Sequence, residues 1–418
     1  MAEPGPLAGL LRASFTLVAG GAAAQALPLL LGPLLTRLFS PAEFGQYHLF
    51  AAVAANVAVV ACARYEFALP MAADDDEADA LRALCLRILA AVTLASALGA
   101  AGWWWAGAAA WVAWLPLAVA AAGAVSLATL WATRGQQFPA LATARVLQYG
   151  GAALAQVAAG WAGAGIPGLV VAPIVATLAA TAWLRLPLNW NVSGRVHVSA
   201  KLREVARRHR VFPLLNTPHA FAGALQDTVA VALVAAWVGP AAAGFWGLGL
   251  RYLKAPATLV GSAVSQALYP KLAAAGTRPD AAARQALRRV MLALAALALP
   301  LVAGLWWLGP WAFEALFGPP WREAGELARA LALYIGLHFV AAPLAVVTMA
   351  WQAQAWALKL ALVGQVAFVA ALALGLHWGG LVGAGWAVSL AMLGYFGYYF
   401  VRLATWPVTD VPMKELRP

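Results

Sequence analysis

Apolar segments about 20 residues long follow one another from Leu11 to about Trp406, separated by short polar connections. A helix of about 20 apolar residues crosses the roughly 30 Å hydrocarbon core of a bilayer. The pattern therefore predicts an all-α integral membrane protein with twelve spans. Eleven and thirteen spans are the alternatives. The twelve predicted spans are 12–37, 43–70, 80–105, 109–133, 139–163, 165–187, 211–237, 242–269, 287–309, 324–350, 353–376 and 379–405.

The composition supports a protein built inside the bilayer. Hydrophobic residues make up 64% of the chain and charged residues 10%, whereas soluble domains carry about 25% charged residues. The first apolar run continues to Leu38, beyond the length of a signal peptide's apolar region, so it is interpreted as a retained helix. No room remains for a soluble catalytic domain, and we expect the protein not to be an enzyme.

Lys and Arg are concentrated in alternate connections, and the net charge is +11. Because basic residues collect in cytoplasmic loops, this asymmetry predicts both termini in the cytoplasm. The basic segment 198–210 is interpreted as an amphipathic topology determinant on anionic headgroups, without a nucleic-acid role. The acidic run 74–79 is expected to be a solvated cytoplasmic turn.

Two parts of the chain share a short pattern. Ser40–Phe50 (SPAEFGQYHLF) and Gly239–Gly249 (GPAAAGFWGLG) both follow a long apolar run and start another. This repeat predicts two six-helix bundles related by a pseudo-two-fold axis along the membrane normal, although Pro at a helix start is common. The predicted domains are an N-terminal bundle at 1–190, a basic linker at 191–210 and a C-terminal bundle at 211–418.

Charged residues within the apolar runs are the candidate site residues, because a buried charge costs at least about 2.5 kcal/mol. Cations outnumber acids among them, and a cationic cavity would attract phosphate, with Arg forming paired hydrogen bonds to its oxygens. The alternative is that some of these side chains extend to the interface. Asp227 could pair with a cation or hold a proton or Na⁺. The candidates are Arg64, Glu66, Arg145, Asp227, Arg251, Lys254 and Lys359, with Asn216 and His219 preceding Asp227.

The chain has only two cysteines, Cys62 and Cys85, and its histidines are scattered. No HxxxH or CxxC spacing occurs, and two thiols need His or acidic partners to bind zinc. The sequence therefore predicts neither a metal site nor a structural disulfide.

Four motifs resemble the bacterial O-antigen and exopolysaccharide repeat-unit flippases, a family of the multidrug/oligosaccharidyl-lipid/polysaccharide exporter superfamily. The match spans most of residues 10–290. Its motifs are LLTRLFSPAEFGQY at Leu34–Tyr47, ARYEFALP at Ala63–Pro70, GQQFPALATARVLQ at Gly135–Gln148 and the segment Glu204–Lys271 containing FPLLNTPHAF.

The resemblance implies transport of undecaprenyl-pyrophosphate-linked oligosaccharide across the bacterial inner membrane by alternating access. It implies no cofactor, H⁺ or Na⁺ as a candidate coupling ion, and a polysaccharide polymerase and chain-length regulator as candidate partners. Membrane lipids surround the protein. The resemblance implies binding of pyrophosphate and sugar by Arg37, Arg64, Arg145, Asn216 and Arg251, and coupling or ion pairing by Glu66. Lys254 and Asp227 stand where relatives are expected to have other residues, and they are added to the binding set and the coupling set from their position in the apolar runs.

Two other functions remain open from the sequence. A drug or cation antiporter of the same superfamily would usually place acidic residues in the cavity. A membrane polysaccharide polymerase or ligase would need catalytic groups on a sizeable outer loop, and only residues 308–324 offer one, with Glu314, Arg322 and Glu323.

Overall fold

A computed structural model describes residues 21, 24–186, 198–274, 279 and 281–407. These residues form helices and connecting turns, with no β-strand among them. The predicted all-α fold class is therefore confirmed. Residues 12–20, 22 and 23 of the first predicted span and residue 187 of the sixth lie outside the described residues.

The N-terminal part of the chain begins its second helix with a capping box. The Ser40 hydroxyl accepts a hydrogen bond from the Glu43 backbone N–H, and the Glu43 carboxylate accepts one from the Ser40 N–H at 2.8 Å. Pro41 occupies the first helical position, where its missing N–H costs nothing. The helices of this part are α1 (24–38), α2 (Pro41–Ala58), α3 (Asp75–Trp105), α4 (Leu115–Arg134), α5 (Phe138–Arg145), α6 (Gly151–Trp161), α7 (Gly165–Trp183), α8 (Val198–Arg208) and α9 (Thr217–Trp237).

The C-terminal part contains four long helices: α10 (Pro240–Ala274), α11 (Ala281–Phe317), α12 (Arg322–Ala350) and α13 (Gln354–Ala404). Gly379 and Gly380 have non-helical backbone angles and divide α13 into two arms. Gly380 has φ 58°, which glycine adopts without steric cost. A Cβ on Gly375 would lie 2.5 Å from Cα of Ala384, so the two arms pack in direct backbone contact.

The predicted twelve spans correspond to these helices once the two arms of α13 are counted separately and α5 and α6 together. Among the helices of the described residues, only the short α8, which contains most of the basic segment 198–210, falls outside that series. Seven segments of the described chain are long and apolar enough to cross a membrane: α3, the segment Ala110–Arg134, α7, the segment Ala220–Trp237, α11, the segment Pro319–Ala350 and α13. The protein is a multi-pass membrane protein.

Two predicted boundaries were wrong. The helix predicted over 43–70 ends at Ala58, and a turn and a 3₁₀ helix at Tyr65–Met71 follow. The predicted outer loop at 308–324 is mostly helical, because α11 continues to Phe317 and only a short 3₁₀ turn separates it from α12. Apolar composition alone does not show that α2 ends at Ala58 or that α11 continues to Phe317.

By internal contacts the chain divides into two compact units, Met1–Val231 and Ala232–Pro418. The division falls inside α9, whose first part is bonded to α2: the Thr228 hydroxyl donates to the Ala52 carbonyl at 3.0 Å. A division by internal contacts does not show which six-helix bundle each helix belongs to. The predicted domains at 1–190, 191–210 and 211–418 therefore stay a prediction.

Candidate functional site

The ARYE motif forms a tight turn rather than the end of a helix. Ala63 and Arg64 have left-handed backbone angles, with φ 48° and 62°. Non-glycine residues adopt this conformation at a cost of about 1–3 kcal/mol, and such residues cluster at functional sites. The turn directs Glu66 into the protein, where 4% of its surface is exposed.

Arg64 and Glu66 are brought together by this turn. The guanidinium of Arg64 lies 5.1 Å from the ring centre of Phe67 and interacts electrostatically with the Glu66 carboxylate. The Ser126 hydroxyl of α4 donates to Glu66 Oε1 at 3.5 Å. The predicted cation and acid therefore form one local cluster in the first unit.

Arg145 lies where the backbone changes helix type. It ends α5, and a π-helical turn at Val146–Gly150 follows before α6. A Cβ on Gly21 would be 3.3 Å from Arg145 Nη1, so the guanidinium lies against the first helix. Single π-helical turns occur frequently at functional sites.

The FPLLN motif is also π-helical, at Phe212–Asn216, and leads directly into α9. Asn216 at its end is exposed, and so is Asp227 two to three turns later. The side chain of His219 lies outside the described residues. Three of the four motifs therefore coincide with backbone irregularities: the left-handed turn, the π turn after Arg145 and this one.

Arg251 and Lys254 lie in the middle of α10. They are roughly 17 and 21 Å along the helix from Pro240, at 1.5 Å per residue. Arg251 is exposed and Lys254 is partly buried. At 30 Å of hydrocarbon thickness, both positions lie well inside the bilayer if α10 spans it from the Pro240 end.

Lys254 belongs to a polar group on α10 and α12 that the sequence did not predict as a unit. Its Nζ lies 5.8 Å from the ring centre of Tyr334, and the Tyr334 ring centre is 5.9 Å from that of His338. A cation over an aromatic face is stabilised by about 0.5–2 kcal/mol. The only sequence signal was a histidine within a long apolar run.

The remaining predicted cations lie near helix ends. Arg37 is exposed at the C-terminal end of α1, and Lys359 is exposed near the start of α13. The position of Lys359 fits the alternative in which a long basic side chain extends to the membrane interface.

The acidic run 74–79 is more than a solvated turn, because it binds α8. Glu77 accepts a hydrogen bond from Arg208 at 3.1 Å, lies 2.9 Å from His209 Nε2 and accepts another from the Ala73 N–H at 2.8 Å. Glu77 precedes the apolar part of α3, which was predicted to begin at residue 80. The Ala73 hydrogen bond, followed by that of His209, lowers the pKa of Glu77 to about 2.

Comparison with known families identifies the chain. A family model described as "Polysaccharide biosynthesis protein" matches residues 34–326, more than half of the sequence. The chain belongs to this polysaccharide biosynthesis family. The predicted resemblance to polysaccharide exporters is confirmed at the level of the family. No curated protein sequence matches the chain.

Solved transporters share the fold of this family member. The lipid II flippase MurJ in an inward closed conformation matches 93% of this chain and 88% of its own, with 12% identity and a TM-score of 0.69. An inward-facing multidrug resistance MATE transporter of the MOP superfamily matches 93% and 94%, with 13% identity and a TM-score of 0.58. A point mutant of the Vibrio cholerae MATE transporter VcmN matches 94% and 95%, with 14% identity and a TM-score of 0.56.

Proposed function

We propose that the protein is a flippase that moves undecaprenyl-pyrophosphate-linked oligosaccharide repeat units from the cytoplasmic to the periplasmic leaflet of the bacterial inner membrane. Membership of the polysaccharide biosynthesis family carries this proposal. The fold shared with a lipid II flippase adds a precedent for moving a lipid-linked substrate.

The distribution of charge within the apolar helices supports an anionic substrate. Arg251 and Lys254 on α10 and Arg145 before the π turn are cations, and they lie within the runs expected to cross the bilayer. In a low-dielectric site, Arg and Lys stabilise phosphate oxygens by charge-assisted hydrogen bonds. We assign Arg37, Arg64, Arg145, Asn216, Arg251 and Lys254 to headgroup binding, and Glu66 and Asp227 to coupling or ion pairing.

Alternating access is the proposed mechanism, with the lipid tail remaining in the bilayer while the headgroup crosses. The chain is similar to MATE transporters solved in inward-facing and outward-facing conformations, with TM-scores of 0.58 and 0.57. H⁺ or Na⁺ is the proposed coupling ion. A polymerase and a chain-length regulator are proposed partners that consume the exported unit.

The decisive experiment is removal of the gene product followed by leaflet-resolved analysis of lipid-linked oligosaccharides. We expect repeat units to accumulate on the inner leaflet and surface polysaccharide to be lost. Re-expression of the wild-type protein restores export. Normal export without the protein would contradict the proposal.

A drug or cation antiporter is the second candidate, favoured by the exposed Asp227 in α9 and by the MATE fold. Vesicles containing the purified protein separate the two functions. Proton- or Na⁺-driven efflux of cationic dyes, without translocation of a fluorescent polyprenyl-pyrophosphate glycan, would favour the antiporter. The helical course of 308–317 leaves the polymerase or ligase interpretation without the outer loop on which it depended.

A further inference from the structure

The two cysteines and a carboxylate converge inside the first unit. Sγ of Cys62, a carboxylate oxygen of Glu66 and Sγ of Cys85 all lie within 4.8 Å of one another. All three residues are buried, with 1%, 4% and 0% of their surfaces exposed. The cluster joins three segments: the turn after α2, the 3₁₀ helix and α3.

The backbone is strained in a way that creates this convergence. Ala63 and Arg64, the left-handed residues, lie between Cys62 and Glu66. They reverse the chain so that both side chains face Cys85 on α3. Such strain persists only where surrounding interactions fix it, and apolar packing alone does not require a carboxylate at this point.

The Glu66 carboxylate lacks a full set of partners. Its Oε2 atom is buried and has no hydrogen-bond partner among the described residues. Its Oε1 atom has the long 3.5 Å contact with Ser126. Arg64 supplies a nearby positive charge, but it does not bond to Oε2, so this buried oxygen is left open to a further ligand.

α4 completes the surroundings with oxygen atoms. The carbonyl of Gly123 lies 4.0 Å from Cys62 Sγ, and the Ser126 hydroxyl lies one turn further along α4. A Cβ on Gly123 would lie 2.5 Å from Leu89 Cδ1 and 2.8 Å from Cβ of Ala61, so glycine is what allows α4 to come this close.

We propose that Cys62, Glu66 and Cys85 bind a zinc-type transition-metal ion that fixes the ARYE turn. Two thiolates and one carboxylate form a borderline-soft donor set suited to Zn²⁺. Zn–S distances of about 2.3 Å and Zn–O distances of about 2.0 Å place tetrahedral ligands roughly 3.5–4 Å apart, within reach of the observed spacing.

The charges of the cluster and its neighbour balance when the metal is bound. The two thiol protons pass to water as the thiolates bind, and two thiolates, one carboxylate and Zn²⁺ carry a net charge of −1. The guanidinium of Arg64, which interacts with Glu66, supplies the compensating positive charge. Glu66 and Arg64 also belong to the proposed transport machinery, but metal content is measured without any substrate, so failure of the metal site and failure of the proposed function give different results.

The test measures metal in the full-length protein, purified in detergent with its affinity tag removed and dialysed against a weak chelator. We expect about one zinc per chain by inductively coupled plasma mass spectrometry. Exchange for Co²⁺ should give the thiolate charge-transfer absorption of a Cys-ligated ion. This readout needs only the wild-type protein, so it does not depend on any variant folding.

Variants then assign the ligands. Cys62→Ser and Cys85→Ser should lose the bound metal and the charge-transfer band, and Glu66→Gln should weaken Zn²⁺ binding by at least about 10-fold. Ser96→Ala is the matched control, because Ser96 is also buried on α3 but donates only to Thr93 of its own helix. The control should retain full metal content.

Three results would overturn the site. The first is a metal-free wild-type protein with two reactive thiols after denaturation. The second is a protein whose mass under non-reducing conditions shows a Cys62–Cys85 disulfide. The third is zinc bound equally by wild type and by folded cysteine variants, which would identify an adventitious ion only.

Discussion

At the scale of single residues, the charges in the apolar helices differ in how they are held. Arg64 and Glu66 are fixed by a strained turn and by each other. Lys254 lies over an aromatic ring, while Arg251, three residues earlier, is exposed. A side chain held by aromatic packing suits a preorganised anion site, and an exposed guanidinium suits a group that engages the substrate as it arrives.

The pair on α10 provides a direct test of anion binding. Arg251→Ala with Lys254→Ala should reduce transport by at least about 100-fold, since each of the two charge-assisted hydrogen bonds contributes about 1.5–3 kcal/mol. Surface glycan export and membrane level of the protein are the measurements. Arg402→Ala, a cation at the end of α13, is the control and should transport normally. Normal export by the double variant would exclude this pair from the site.

The shape of the Arg251 side chain is expected to matter as well as its charge. Arg251→Lys should retain partial activity, because the charge remains while the two-pronged hydrogen-bonding geometry is lost. Initial rates of glycolipid translocation in vesicles measure this difference. Equal rates for Arg251→Lys and Arg251→Ala would show that charge at this position does not contribute.

At the scale of elements, the acidic start of α3 and the basic segment 198–210 form a contact that composition could not distinguish from two solvated segments. Asp76 pairs with Lys201 at 3.0 Å, and Glu77 pairs with Arg208 and His209. Two further acidic side chains pair outside this contact, Asp75 with Arg134 of α4 at 2.9 Å and Asp79 with Arg82 of α3. Exposed ion pairs contribute little, so we expect Glu77, with 8% of its side chain exposed, to dominate.

Replacement of Glu77 tests this ranking. Glu77→Gln keeps the side-chain shape but removes the charge, and it should destabilise the protein by about 1.5–3 kcal/mol. Thermal unfolding in detergent measures the loss. Asp75→Asn, at a 99% exposed side chain, is the control and should change stability by less than about 1 kcal/mol.

The same contact predicts a pH dependence. The pKa of Glu77 is lowered from 4.5 to about 2, so the folded state favours the carboxylate. Its stabilising contribution is fully present above pH 4.5 and is lost as the pH falls toward 2. The difference in stability between wild type and Glu77→Gln should therefore shrink across that interval, and a constant difference would contradict the assignment.

Close packing of α11 and α12 gives an element-scale prediction that is independent of charge. A Cβ on Gly325 would collide with Cα of Pro310 and would lie 2.6 Å from the Gly309 carbonyl oxygen. Gly325→Val should therefore separate the helices and cost about 1–3 kcal/mol. Gly304→Val on α11, where a Cβ would meet no atom within 4 Å, is the control for unfolding in detergent.

At the scale of the whole molecule, the chain is a multi-pass membrane protein of the polysaccharide biosynthesis family. Each compact unit is built from helices that expose apolar surface, such as Trp105 at 94% and Trp378 at 79%. In water such exposure would be unfavourable, whereas in a bilayer it faces lipid or the interface. We therefore expect lipid to cover the apolar side chains that the helices leave exposed.

The charge asymmetry predicts the orientation of the molecule. A reporter that is active only in the cytoplasm should be active when fused after Pro418, and a periplasmic reporter at the same position should be inactive. A periplasmic reporter fused after Ser40, between α1 and α2, should be active. The reverse pattern would show that the basic connections do not set the orientation.

The sequence by itself determined the helices, because apolar length and the distribution of Lys and Arg reflect the bilayer directly. Pro41 also marked a helix start through local backbone chemistry. Where the apolar composition continues unchanged, the sequence contains no local signal for the end of a helix. The sequence therefore extended α2 to residue 70 and missed the left-handed turn at Arg64.

Only the tertiary structure decided which distant residues meet. Nothing in the sequence between Cys62 and Cys85 indicates that both thiols lie beside the Glu66 carboxylate, and only folding brings the three groups together. The contact of Lys254 with Tyr334, which lies beside His338, and the contact of Glu77 with α8 likewise join residues that are far apart in the chain. Proximity across helices depends on packing angles and close glycine contacts, which involve residues far apart in the chain and leave no periodic pattern.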